Sequence, residues 1–162
     1  MLHARKTGLM SSHYEIEADG AHVAGWDPSW WRSGGTLELE GRQYTVKANL
    51  WASKYGMARL DGTAMAQADH VGRKRWTVTA DGRTYEFQRA SMWSREQVLL
   101  SGAQRVGSVR RTSMWRSDAT ADLPGLALPL QVFAFVVVLT MWDHADAAGG
   151  AATAGGAVAA SG

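Results

Sequence analysis

The stretch Leu128-Pro129-Leu130-Gln131-Val132-Phe133-Ala134-Phe135-Val136-Val137-Val138-Leu139-Thr140-Met141-Trp142 decides the fold. Between Leu130 and Trp142 only Gln131 and Thr140 are polar. Wound as a helix, the segment turns apolar side chains in every direction, and such a helix must be enclosed. Three enclosures compete. A buried strand suits Val and Phe, but strands of that kind end after about 4–8 residues. A membrane span needs about 20 apolar residues. The strict run here is 13 residues, and a generous count from Gly125 reaches 18 only by including Pro129 and Gln131. A helix inside protein fits best, with Pro129 in its first turn, where the missing N–H costs nothing.

Leu130, Val132, Phe133, Phe135, Val136, Val137, Leu139 and Trp142 form the expected core helix, over about residues 129–147. Each large apolar side chain contributes about 1.5–3 kcal/mol on full burial, before entropy. No other segment of the chain carries as much, so its container should be the rest of the fold. Gly149-Gly150 marks a stop. The remaining Ala, Gly, Val, Thr and Ser residues, 149–162, read as a flexible, disordered tail following a 1–148 domain.

Upstream of the helix the chain is punctuated by turns. Asp19-Gly20, Glu40-Gly41, Asp61-Gly62, Asp81-Gly82 and Ser101-Gly102 recur every 20–21 residues. Asp-Gly between alternating segments signals a tight hairpin whose two central residues take positive φ. The flanking segments pair as 13–18 with 21–26, 36–40 with 42–50, 54–60 with 63–68, 75–80 with 83–89 and 93–100 with 104–111. A further short strand is expected at 113–116. Their period-2 alternation gives each strand one apolar and one wet face. About 10–12 antiparallel strands must curl or split, and closure removes exposed edges. The expected fold class is therefore all-β with one C-terminal helix: a closed antiparallel barrel around a buried apolar helix. A barrel this wide is not filled by wall side chains alone, and the helix fills it.

Composition narrows the function classes. With 162 residues and no cysteine, the chain suits a single domain without disulfides or thiolate metal sites. Lack of cysteine fits a reducing cytoplasm. The segment 1–10 lacks the apolar core of a signal peptide. The formal net charge of +2 is uneven: residues 73–116 hold ten Lys/Arg against three Asp/Glu. Arg73, Lys74, Arg75, Arg105, Arg110, Arg111 and Arg116 are the candidate anion- or phosphate-binding residues. They point to an anionic membrane surface or a phosphorylated ligand, met by a monomeric cytoplasmic protein peripheral to the membrane. No nucleic-acid module is visible. Trp30 and Trp31 suggest either a plug at one barrel end or a stacking or membrane-interface contact.

No catalytic constellation appears. His3, His13, His22, His70 and His144 show no metal-ligand spacing. His13 and His22 flank one turn and face each other across it, but no carboxylate partner is evident, and they read as surface residues. His13 with Glu15 and Glu17 is the only acid–base arrangement in reach of an enzymatic reading. Nucleophile elbows, phosphate loops and dinucleotide fingerprints are absent from the sequence. No cofactor is implied, and a non-enzymatic role is expected.

Ala121-Asp122-Leu123-Pro124, then Leu128-Pro129-Leu130-Gln131-Val132-Phe133 and Val136-Val137-Val138-Leu139-Thr140-Met141-Trp142, form an acidic residue, an extended lead-in and a final apolar helix. This ending, behind a long hairpin meander, resembles the tubby-like, LURP-one-related and phospholipid-scramblase superfamily. The resemblance implies about a dozen strands around a threaded helix. It also implies phosphoinositide binding through basic side chains, as in tubby domains, without a motif that assigns residues. Scramblases carry an acidic calcium segment near the final helix. Here only Asp118 and Asp122 stand there, too few for a cation that takes six to eight oxygens, so a scramblase-like role would lack a calcium site. The alternative to all of these is a tail-anchored protein spanning the membrane with residues 128–142, with Arg110, Arg111 and Arg116 held on the cytoplasmic side.

Overall fold

The computed structural model describes residues 1–7, 13–29, 34–113 and 117–161, with side chains in the helix as far as Gly149. Twelve strands precede one helix. They are β1 (Leu2–Thr7), β2 (His13–Ala18), β3 (Ala21–Pro28), β4 (Gly34–Leu39), β5 (Arg42–Ala48), β6 (Tyr55–Arg59), β7 (Ala64–Asp69), β8 (Arg75–Ala80), β9 (Arg83–Arg89), β10 (Gln97–Ser101), β11 (Gln104–Arg111) and β12 (Ala119–Asp122); the helix is α1 (Leu128–Ser161). Each strand pairs antiparallel with its neighbours in sequence, and β1 pairs with β12, so the sheet closes into a barrel.

All five expected hairpins form, in the order the turns dictate. Three of them take positive φ at both central residues: Asp19-Gly20, Glu40-Gly41 and Asp81-Gly82. The Asp61-Gly62 turn departs from that geometry. Asp61 keeps ordinary φ, and its carboxylate accepts the Thr63 amide at 2.9 Å, which widens the loop to residues 60–63. The closing strand is Ala119–Asp122 rather than 113–116, of which 114–116 lie outside the described residues. Its two inward residues are alanines, poor strand formers that leave little alternation to read. The strand β1 carries an equally weak signal, because only Leu2 and Ala4 face the lumen.

The helix runs through the lumen. From Val132 to Leu139 every side chain is at most 1% exposed, and Leu130 and Trp142 are buried as well. Its backbone approaches β3 and β7, where Ala24, Ala66 and Ala68 supply a thin wall. Elsewhere Tyr14, Ile16, Trp26, Leu37, Tyr55, Met57, Trp76 and Phe87 reach inward to fill the space. Small wall residues where the helix is close and large ones where it is far give a dense core. The two polar residues of the run are satisfied: Thr140 Oγ1 donates to Val136 O at 2.9 Å, and Gln131 Nε2 to Leu126 O at 2.8 Å. By length and composition Leu128–Gly149 suffices to cross a membrane, yet its apolar surface is taken up by the wall.

The helical backbone continues past Gly149-Gly150, where the sequence predicts a stop, to Ser161. Alanine dominates this segment and has the highest helix propensity of all residues, which offsets the glycine pairs.

Candidate functional site

The meander puts the five tight turns at the end where α1 enters. The opposite rim, where α1 leaves, carries the longer connections 49–54, 70–74 and 90–96, which are consecutive around the barrel. Backbone bonds join them: Val71 N donates to Ser53 O at 3.0 Å, and Arg89 N to Lys74 O at 2.8 Å. Within 49–54, Asn49 Oδ1 accepts the amides of Ser53 and Lys54, and Asn49 Nδ2 donates to Ser53 Oγ. This folds the loop back and leaves Leu50 and Trp51 at its tip, 87% and 83% exposed. In 90–96 the Ser94 amide donates to Ser91 Oγ and the Glu96 amide to Ser94 Oγ. That turn leaves Met92 and Trp93 at its tip, 81% and 94% exposed. Scattered exposed apolar residues are ordinary; these four large ones stand together on one rim.

Between the two tips lies the β7–β8 connection with Arg73 and Lys74, followed by Arg75 at the start of β8; all three are exposed. None has an ion-pair partner among the described residues. The other candidate cations do not all join them. Arg110 and Arg111 end β11 at the same rim, three strands further round. Arg111 is committed internally: it pairs with Asp146 at 2.7 Å and lies over the Trp142 ring at 5.1 Å. Arg105 begins β11, beside the Ser101-Gly102 turn, and its guanidinium donates to Ala90 O at 3.0 Å. Arg116 and the Trp30-Trp31 pair lie outside the described residues. Of the candidate cations, the consecutive Arg73, Lys74 and Arg75 therefore stand together at this rim. Trp51, Met92 and Trp93 are not among the expected binding residues, and Trp93, expected to open the strand 93–100, lies in the loop before β10. Their signal is local: each sits in a polar, small-residue loop where a large apolar side chain has no core to join.

Beside the helix exit the rim encloses a cleft of about 510 Å³. Trp51, Met92 and Trp93 flank it, Met141 and Trp142 line it from the helix, and Arg73, Arg89 and Arg95 supply charge. Trp142 Nε1 donates to Arg95 O at 2.9 Å. Asp146 holds both Arg95 and Arg111; burial works against its charge, but the hydrogen bonds from these two guanidiniums outweigh it and lower the carboxyl's pKa. Tyr55 also lines the cleft, and its hydroxyl is buried without a hydrogen-bond partner among the described residues. Burial pushes that phenol up to about 12, so it remains a donor at neutral pH. Further round the barrel, on β2, Tyr14 Oη donates to Asp143 at 3.1 Å, and burial raises the Asp143 pKa despite the opposing pull of Lys6.

A second cluster lies outside the wall on β2, β3 and β4. His13 Nδ1 meets Asp27 at 2.6 Å and His13 Nε2 meets Glu15 at 2.7 Å. His22 Nδ1 meets the other Glu15 oxygen at 2.7 Å, and His22 Nε2 meets Glu38 at 3.2 Å. Glu15 stands two residues from His13, but Asp27 and Glu38 come into reach of the histidines only through strand pairing, so no short window of sequence shows them as partners. Both ring nitrogens of each histidine face the chain's own carboxylates, so neither is directed at a substrate. Among the described residues no group of three or more His, Cys, Asp or Glu is arranged to hold a metal ion.

Comparison of the chain with protein-family models, with curated proteins and with solved structures returns no match.

Proposed function

We propose that this chain is a non-enzymatic binding module of the tubby-like, LURP-one-related and scramblase type, and that its helix-exit rim docks on an anionic membrane surface. One observation carries the reading. Leu50-Trp51 and Met92-Trp93 stand at the tips of two ordered loops, with Arg73, Lys74 and Arg75 between them. Tryptophan favours the headgroup level of a bilayer, where its ring is half in apolar and half in wet surroundings. Basic residues near an anionic leaflet contribute about 1 kcal/mol each. Two apolar tips and a cationic saddle between them match both layers of such a surface. The reading makes the protein cytoplasmic and peripheral to the membrane, with the helix kept in the barrel as core.

Vesicle co-sedimentation tests this. Binding should rise when phosphatidylserine is added to neutral vesicles and fall as salt increases. The double variant Lys74→Glu/Arg75→Glu should lower binding to anionic vesicles by at least about tenfold, since it reverses two charges. Equal sedimentation with neutral and anionic vesicles at low salt would exclude the lipid-surface role.

A further inference from the structure

We propose that the cleft beside the helix exit is a binding site for a single-chain anionic amphiphile, an acyl or alkyl chain carrying one phosphate or carboxylate head. This goes beyond attraction of the rim to a charged surface: it shares Trp51, Arg73, Met92 and Trp93 with that reading but adds Tyr55, Arg89, Met141 and Trp142. The cleft volume of about 510 Å³ lies within the range of small-molecule sites, roughly 300–1,000 Å³. Its walls divide by chemistry. Trp51, Met92, Trp93, Met141 and Trp142 offer apolar surface for a chain. Arg73 and Arg89, neither in an ion pair among the described residues, offer positive charge to a head group.

The buried Tyr55 hydroxyl is the second, independent observation. It has given up water and found no acceptor among the described residues, although buried hydroxyls in folded proteins are almost always paired. As a donor it suits an oxygen with lone pairs to spare, which phosphate and carboxylate both have. A neutral chain would fill the walls and leave Tyr55 and the two arginines unanswered. Inorganic phosphate would satisfy the head contacts and leave the apolar walls exposed. Only a molecule with both parts uses the whole cleft.

Isothermal titration calorimetry on the full chain tests this. Decyl phosphate and decanoate, each kept below its micelle-forming concentration, serve as probes for the two head groups. Inorganic phosphate and decyl maltoside serve as head-only and neutral-chain controls. One site per chain is expected for at least one anionic probe, with both controls about tenfold weaker or more. Tyr55→Phe should weaken that probe by about five- to tenfold while leaving the melting temperature unchanged or higher, because it removes an unpaired buried group. A merely structural Tyr55 would lower the melting temperature and leave affinity alone. Equal binding of decyl maltoside, several weak sites per chain, no binding of either anionic probe, or unchanged affinity in Tyr55→Phe would each overturn the proposal. Lys74 and Arg75 do not line the cleft, so the Lys74→Glu/Arg75→Glu variant should still bind the probe. Probe binding without vesicle docking removes the surface role alone, and vesicle docking without probe binding removes the cleft alone.

Discussion

Trp142 Nε1 donates to the carbonyl oxygen of Arg95 at 2.9 Å, fastening the last buried turn of the helix to the loop that displays Met92 and Trp93. The core helix and the exposed rim are thereby one mechanical unit. Trp142→Phe keeps an aromatic ring but removes the donor together with part of the buried indole. It should cost about 0.5–1.5 kcal/mol, read by urea denaturation, and the amides of residues 90–96 should exchange faster with deuterium.

Phe133 is fully enclosed by the wall. Phe133→Ala opens a cavity that a closed barrel cannot collapse to fill, and should destabilise the fold by about 3–5 kcal/mol. Leu50→Ala, at an exposed loop tip, should stay within about 0.5 kcal/mol of the parent. Equal losses in the two variants, measured by chemical denaturation, would contradict the enclosed helix.

Gly35 faces a wall of backbone. A Cβ there would come within 2.1 Å of Asp27 O and 2.9 Å of the buried Trp26 ring. Gly35→Ala should push β3 and β4 apart and cost about 1–3 kcal/mol or more. Trp26 fluorescence and the thermal midpoint report it together.

Asp146 neutralises Arg95 and Arg111 at the rim. All three groups are partly exposed, so Asp146→Asn should cost less than about 1 kcal/mol. It also frees two guanidiniums at the helix exit. Sedimentation with anionic vesicles should therefore increase, whereas a purely structural rim would show no change.

Burial alone would lower the pKa of His13, but hydrogen bonds to Glu15 and Asp27 outweigh it and raise the value. A raised folded value means the imidazolium is favoured by folding. That contribution is fully present below the unfolded value of about 6.5 and is lost as pH rises through the higher folded value. The thermal midpoint should decline from about pH 6 to pH 8. His13→Gln should flatten that slope, and an unchanged slope would deny the network its role.

The repeat of turns and the period-2 segments made most of the wall readable, because a hairpin is specified by residues adjacent in the chain. The helix was readable for the same reason: thirteen residues with only Gln131 and Thr140 polar allow few enclosures. β1 and β12 were not readable, since Ala4, Ala119 and Ala121 are inward-facing by position and not by character.

Chain-local patterns alone therefore determined that a meander of hairpins must surround an apolar helix. Only tertiary structure decided that Trp51 and Trp93 flank Arg73 and Lys74, that Arg111 is spent on Asp146, that Tyr55 finds no partner among the described residues, and that His13 and His22 are strung between three carboxylates. Those relationships join residues tens of positions apart. They are set by barrel closure and strand register, which no short window of sequence encodes.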